Sequence, residues 1–164
     1  QFPQILGYFQ ITCEGKILTY QRKGKEKGLL GKWSIGVGGH VSHEDYLVVS
    51  DTFCNELPDL NEIIFEGSKR ELEEELGIDT RWIDQFNSPD DLVEAIKSII
   101  YTYDDNTSTM HVGLPLQLEM SDHLMDTIKL DPAEFLNYKW LTPAELKLSG
   151  LEFETWSAIL IDHM

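Results

Sequence analysis

The sequence predicts an α/β fold in which helices layer around a mixed β-sheet. Three observations predict it. Short β-type segments bounded by polar or glycine-containing turns occupy the first part of the chain and return in its second half. Between them, Ile64, Ser68, Leu72 and Leu76 recur every four residues and draw one core-facing stripe on a helix. Near the end, Thr142-Pro143 is a helix start, with threonine as cap and proline at the first helical position.

In chain order, Ile5 to Cys13 and Lys16 to Arg22 read as two strands joined by a hairpin at Glu14-Gly15. Gln21 to Gly28 is a basic loop in an otherwise acidic chain. Lys32 to Val37 is expected to be a short strand running into Gly38-Gly39. Val41 to Leu60 mixes Pro58 with many acids and reads as an irregular insertion. Asn61 to Leu76 is the clearest helix, capped by Asp59 or Asn61 and ended by Gly77 in the left-handed conformation. Lys97 to Tyr103 and Met110 to Glu119 are expected strands around the turn Asp104-Asp105-Asn106-Thr107. Tyr138 to Leu141 is a last short strand, and Phe153 to Ile161 a final helix. No repeat, low-complexity stretch or linker divides the chain, so residues 1–164 read as one domain with an insertion at about 41–60.

Composition excludes several function classes. A hydrophobic content of 41% argues for a packed domain and against disorder. No apolar run approaches the roughly 20 residues that cross a bilayer, and Gln1-Phe2-Pro3 does not open a signal peptide. Two cysteines, Cys13 and Cys54, make no disulfide framework, so a reducing, cytoplasmic setting is expected. A net charge of -16 opposes broad nucleic-acid binding and docking on anionic membranes. A small anionic substrate stays open if bound metal or a few basic side chains offset that field.

The segment with most chemistry is Arg70-Glu71-Leu72-Glu73-Glu74-Glu75-Leu76-Gly77-Ile78. On a helix, Glu71, Glu74 and Glu75 fall within an arc of about 100°. Leu72 and Leu76 point to a neighbouring arc and anchor the helix. Like charges three and four apart each destabilise a helix by roughly 0.2–0.5 kcal/mol. These also lie in the last two turns, where the macrodipole favours cations. A divalent cation reverses both penalties, and Mg²⁺ or Mn²⁺ prefers oxygen ligands. Taken alone, the glutamates fit a solvated acidic face somewhat better than a metal site.

The flanking residues change that balance. Arg70 to Ile78 resembles the second half of the Nudix box, Arg-Glu-apolar-x-Glu-Glu-x-Gly-apolar, at every specified position. Glu62 lies eight positions before Arg70, the spacing of the box's first glutamate. Gly38-Gly39 after Lys32-Trp33-Ser34-Ile35 resembles the strand and glycine pair that open the box, and Lys139 to Leu146 resembles a late strand-to-helix segment of that fold. The resemblance implies a Nudix-type α/β/α sandwich with a mixed sheet. It also implies a metal-dependent hydrolase that cleaves the diphosphate linkage of a nucleoside diphosphate joined to another moiety.

One departure stands out. The box places its opening glycine six positions before the first glutamate, where this chain has Glu56, and Glu62 follows Gly39 by 23 positions. An insertion of about 17 residues between the glycine loop and the helix is therefore expected, which loop-closure entropy tolerates. Val37 also stands where the family often has proline.

By resemblance, Glu74 and Glu75 are the principal ligands of Mg²⁺ or Mn²⁺, with the Gly38 carbonyl as a further oxygen. Glu71 is a further ligand or the base that activates water, and Arg70 orients the glutamates through Glu62. Weaker substrate-binding candidates are Arg22, Lys23, Gly39, His40 and Glu119, and by resemblance Glu119, Asp122 and His123 follow a strand where some relatives add a further base or ligand. Trp33 fits a core anchor better than a base-stacking platform. Tyr46, Leu47, Val48, Val49 and Phe53 give the insertion apolar groups that could tune substrate choice or pack on the sheet edge. The expected partner is a small diphosphate or nucleotide, and a homodimer is left open.

Two alternatives share this resemblance. An isopentenyl-diphosphate isomerase uses a cysteine soon after the strand-borne tryptophan, and none lies between Trp33 and His40. A non-catalytic nucleotide-sensing module usually loses box carboxylates, and this chain keeps them.

Overall fold

The computed structural model describes residues 4–23, 28–52, 59–79, 98–104 and 109–164. Seven strands form one mixed sheet: β1 (Gln4–Cys13), β2 (Lys16–Arg22), β3 (Trp33–Ser34), β4 (Val37–His40), β5 (Ile100–Asp104), β6 (Thr109–Glu119) and β7 (Phe135–Leu141). The order is β3-β2-β1-β6-β5, with β4 on β1 and β7 on β2. The helices are α1 (His43–Thr52), α2 (Leu60–Leu76), α3 (Pro143–Leu148) and α4 (Thr155–Asp162), with a 3-10 helix at Asp122–Thr127. The expected α/β class is thus met.

The chain groups into two compact units, one of Gln1–Phe9, Gly38–Glu74 and Asp79–Leu116, the other of Gln10–Val37, Glu75–Ile78 and Gln117–Met164. In the first unit, α2 begins where Asp59 accepts a hydrogen bond from Asn61 N at 3.1 Å, so Asp59 is the cap. Leu72 is fully buried, and Ser68 returns its hydroxyl to Ile64 O at 2.6 Å. β5 and β6 pair antiparallel, Ile100 opposite Gly113 and Tyr103 opposite Met110. Residues 105–107 of the expected turn, Lys97, and Phe53 and Cys54 of the insertion lie outside the described residues.

The expected irregular insertion contains a helix instead. Among the described side chains of α1 only Asp45 and Val49 are buried, four residues apart, while Tyr46, Leu47 and Val48 are exposed. The buried stripe pairs one acid with one aliphatic residue, so hydrophobic periodicity could not reveal it.

In the second unit, the β1–β2 hairpin turns at Glu14 and Gly15, both at positive φ (49° and 72°). That is the pattern of a type I′ turn. β2 pairs with β7 from Ile17 opposite Leu141 to Tyr20 opposite Tyr138, with a bulge between Gln21 and Arg22. β7 starts three residues before the expected Tyr138, at buried Phe135. The exposed run Leu136 to Lys139 carries no inward–outward alternation that a sequence could display.

The expected strand Lys32 to Val37 is two short strands. Between them Ile35 N donates to Ser157 Oγ at 2.9 Å and Gly36 O accepts from Tyr20 Oη at 2.6 Å, so side chains take the place of a ladder. Gly77 ends α2 at φ 61°, as expected. Thr142 and Glu145 complete a capping box at α3. α4 starts two residues later than expected, because Glu154 accepts hydrogen bonds from Trp156 N and Ser157 N, both at 2.8 Å. Ile17, Ile35, Leu146 and Ile161 form a buried cluster, flanked by Leu141, Phe153 and Leu160. Trp33 is buried with Lys139 Nζ 5.1 Å from its ring, the anchor role expected. Cys13 is buried and free.

Candidate active site

α2 carries Arg70, Glu71, Glu74 and Glu75 in its last two turns, and its buried Leu72 and Leu76 fix which face those side chains leave. Arg70 is the hub. Its Nη1 donates to Glu71 Oε1 at 2.9 Å and to Glu74 Oε2 at 3.1 Å. Its Nη2 donates to His40 O at 3.1 Å. The remaining bonds go to Asp45, from Nε to Oδ1 at 3.0 Å and from Nη2 to Oδ2 at 3.3 Å. The hydrogen bond with Asp45 leads the effects that raise the Arg70 guanidinium above its ordinary value, so it stays charged at any working pH.

The expected partner of Arg70 was Glu62, and that pairing is corrected: the acid on Arg70 is Asp45. Glu62 sits in the first turn of α2, more than two turns from Arg70 along the same helix. Asp45 had no motif to announce it, although it lies six positions after Gly39, the box's own spacing. The extra residues therefore fall between Asp45 and Arg70, not between Gly39 and the acid.

Gly39 lies against Glu71. A Cβ there would stand 1.8 Å from Glu71 Cγ and 2.4 Å from its Cδ, so only glycine leaves Glu71 its place. Gly38 is half-buried beside Tyr8, whose ring carbon would lie 3.3 Å from an added Cβ. His40 is exposed, with Nε2 3.1 Å from Gln4 Oε1 and its ring 5.9 Å from that of His111.

Other expected site residues have local partners. Arg22 Nη2 meets Glu75 Oε1 at 3.4 Å, an ion pair within the second unit. Lys23 Nζ donates to Pro132 O at 3.0 Å. Glu119 accepts from the Thr12 hydroxyl and from Glu14 N, which braces the first hairpin. Asp122 begins the 3-10 helix; the side chain of His123 lies outside the described part.

The donor chemistry suits a hard cation. Arg70 holds one oxygen of Glu71 and one of Glu74, and the second oxygen of each has no hydrogen bond among the described residues. Glu74 is well exposed and Glu71 is half-buried. No three His, Cys, Asp or Glu side chains among the described residues are grouped so that they could hold a metal ion. No helix among them is long and apolar enough to cross a membrane.

Comparison with solved structures decides the architecture. A Nudix hydrolase from Alicyclobacillus acidocaldarius superposes with a TM-score of 0.64 at 12% identity, covering 99% of this chain and 90% of its own. A MutT Nudix hydrolase from Burkholderia pseudomallei gives 0.61 at 17% identity, covering 99% and 98%. The chain has the Nudix fold. A third Nudix-fold neighbour, the Nudix domain of Shewanella oneidensis NrtR solved with ADP ribose, gives 0.56 at 14% identity over 99% and 86%. No protein-family model and no curated protein sequence matches the chain. Within the Nudix fold, the segment Arg70 to Ile78 sits at the end of α2 and carries the ion-pair hub.

Proposed function

We propose that the protein is a metal-dependent hydrolase that cleaves the diphosphate linkage of a nucleoside diphosphate joined to another moiety. The observation that carries this reading is one nitrogen of Arg70 holding Glu71 and Glu74 together on α2 of a Nudix fold. A solvated acidic face needs neither that arginine nor the close approach of Gly39 to Glu71. Glu71, Glu74 and Glu75 are the proposed ligands of Mg²⁺ or Mn²⁺, with the Gly38 carbonyl as a further oxygen. When bound, the cation acidifies the attacking water and offsets charge developing on the phosphoryl oxygens.

The side chains supply the rest. Arg70 keeps Glu71 and Glu74 in one orientation, which spares the reorganisation that a loose pair would need. Glu71, half-buried against Gly39, is the proposed acceptor of the water's proton. The water oxygen bonds to phosphorus, the bridging P–O bond breaks, and the bridging oxygen leaves with the departing phosphate. No covalent enzyme intermediate is required.

The test is a panel of diphosphates assayed with Mg²⁺ or Mn²⁺ and again with excess EDTA. ADP ribose heads the panel because it is the ligand named with the Shewanella domain. Product release that needs the metal and stops with chelator is expected. Undiminished turnover in EDTA removes the mechanism, and saturable binding of a nucleotide with no turnover replaces it with a sensing module.

A further inference from the structure

β1 is buried without a break from Leu6 to Ile11. A strand buried in this way calls for apolar side chains, yet it contains Gln10, which is only 3% exposed. Gln10 Oε1 accepts a hydrogen bond from Gln117 Nε2 at 3.2 Å. Gln10 Nε2 is shielded from solvent and has no hydrogen-bond partner among the described residues. Exchanging oxygen and nitrogen on both amides keeps the bond to Gln117 and orphans Gln10 Oε1 instead. One polar atom of Gln10 is left over either way.

Its neighbours are satisfied. Two residues further along each strand, Thr12 donates to Leu118 O at 3.3 Å and to Glu119, which also accepts from Glu14 N. Thr19 and Ser157, buried in the same unit, donate to Ile17 O and Glu154. A buried amide without a partner costs stability and returns none to the fold. An apolar side chain of similar length would suit the strand better. Departures of this kind gather where a protein binds something.

The surroundings select the chemistry of the ligand. Neither glutamine is charged, the next pair along β1 and β6 contains the Glu119 carboxylate, and the chain carries a net charge of -16. A phosphate is disfavoured here and a neutral group is favoured. Gln10 has both N–H donors of Nε2 to offer, and one lone pair of Oε1 remains beside the one taken by Gln117. A carboxamide with a donor and an acceptor in one plane matches the adenine edge, where N7 accepts and N6–H donates. Guanine sets two acceptors on that edge, and cytosine only a donor.

We propose that Gln10, oriented by Gln117, is a nucleobase-reading site that takes the adenine edge of an adenine nucleoside. That the ligand is a nucleoside rests on the hydrolase reading above; the orphaned amide does not.

The experiment titrates adenosine, guanosine, cytidine, uridine and ribose in turn into the full chain without metal, so that turnover does not enter. The Gln10 side-chain NH2 resonances, assigned by triple-resonance NMR, report contact at the amide, and calorimetry reports affinity. Gln10→Met and Gln117→Ala are treated in the same way, with urea unfolding of each. Adenosine should move the Gln10 resonances further than any other nucleoside, and ribose should leave them in place. Gln10→Met should bind adenosine about tenfold or more weakly, the scale of losing one bidentate base contact. Its urea midpoint should be unchanged or raised, since the orphaned group is gone. Gln117 is exposed, so Gln117→Ala should fold normally and lose less affinity than Gln10→Met.

Gln10 resonances that adenosine leaves unmoved overturn the proposal, as do equal shifts from all four nucleosides or a larger shift from another base. A lowered midpoint in Gln10→Met with wild-type adenosine affinity also overturns it, and makes the amide a water-bridged part of the fold. Should Gln10→Met fail to fold, the wild-type titrations and Gln117→Ala decide. A chain whose Gln10 answers adenosine but which cleaves no diphosphate defeats the hydrolase reading alone. Metal-dependent turnover with a silent Gln10 defeats this proposal alone.

Discussion

Gly39 and Glu71 meet where one carbon atom decides the geometry. The Gly39→Ala variant needs no unusual backbone angle, but its added Cβ would stand 1.8 Å from Glu71 Cγ and 2.8 Å from Glu71 Cβ, so turning the side chain does not clear it and the backbone has to shift as well. A loss of about 1–3 kcal/mol in stability is expected, the usual range of overpacking. Turnover of the folded variant should fall by about tenfold or more, since Glu71 is displaced. Urea melts and initial rates measured together check this; a folded Gly39→Ala with wild-type rates would show that Glu71 works from another position. Among the weaker candidates, Glu119 braces the β1–β2 hairpin through Glu14 N, and Lys23 donates to Pro132 O. Lys23 reads as a phosphate contact from its charge, and Glu119 as a site residue from its place after a strand.

α2 answers two demands that separate by mutation. Leu72 is fully buried, and Leu72→Ala should destabilise the protein by roughly 2–5 kcal/mol, the usual cost of emptying a leucine site. Glu74→Gln removes one of the like charges at the end of the helix, so it should leave the unfolding midpoint unchanged or raised while activity collapses. Near-normal activity in Glu74→Gln would remove it from the ligand set.

The α1–α2 contact also has a pH signature. Burial by itself raises the Asp45 carboxyl, but hydrogen bonds from Arg70 and Ser42 outweigh it and hold the group below its ordinary value. A lowered folded-state value adds stability above the unfolded one, and that stability is lost as pH falls through the folded one. The loss should therefore appear below about pH 4. Urea midpoints from pH 6 downward should fall less steeply there in Asp45→Asn; parallel curves would mean that the pair contributes no pH-dependent stability.

For the whole molecule, charge is the governing quantity. A net charge of -16 and a sequence pI near 4.5 repel an anionic substrate at long range. Both described arginines are already committed, Arg22 to Glu75 and Arg70 to its five acceptors. With Mg²⁺ held constant, kcat/KM for a diphosphate should rise as salt is increased from about 0.01 to 0.1 M, because the screening length shortens from roughly 30 to 10 Å. A fall over that range would mean that local cations, not the global field, govern approach. Either result leaves the fold untouched, since net charge speaks to association and solubility.

What the sequence determined by itself was local. The four-residue stripe of α2, its end at Gly77, the hairpin at Glu14-Gly15 and the cap at Thr142-Pro143 each depend on residues within one or two turns of one another. The order Arg70-Glu71 to Glu74-Glu75 likewise set the carboxylates on one helix, and the Nudix fold confirms the architecture it implied. Tertiary structure decided the rest. The buried residues among the described side chains of α1 are Asp45 and Val49, and Asp45 lies against Gly67 of α2. Glu154 is a poor cap by type and caps α4 all the same. The acid that holds Arg70 comes from 25 residues away, while the expected Glu62 sat on the same helix at the right count. A spacing along the chain says which side chains can share a face. Which charge reaches a guanidinium is settled by the packing of two helices, and here Gly67 opens the gap that lets Asp45 in.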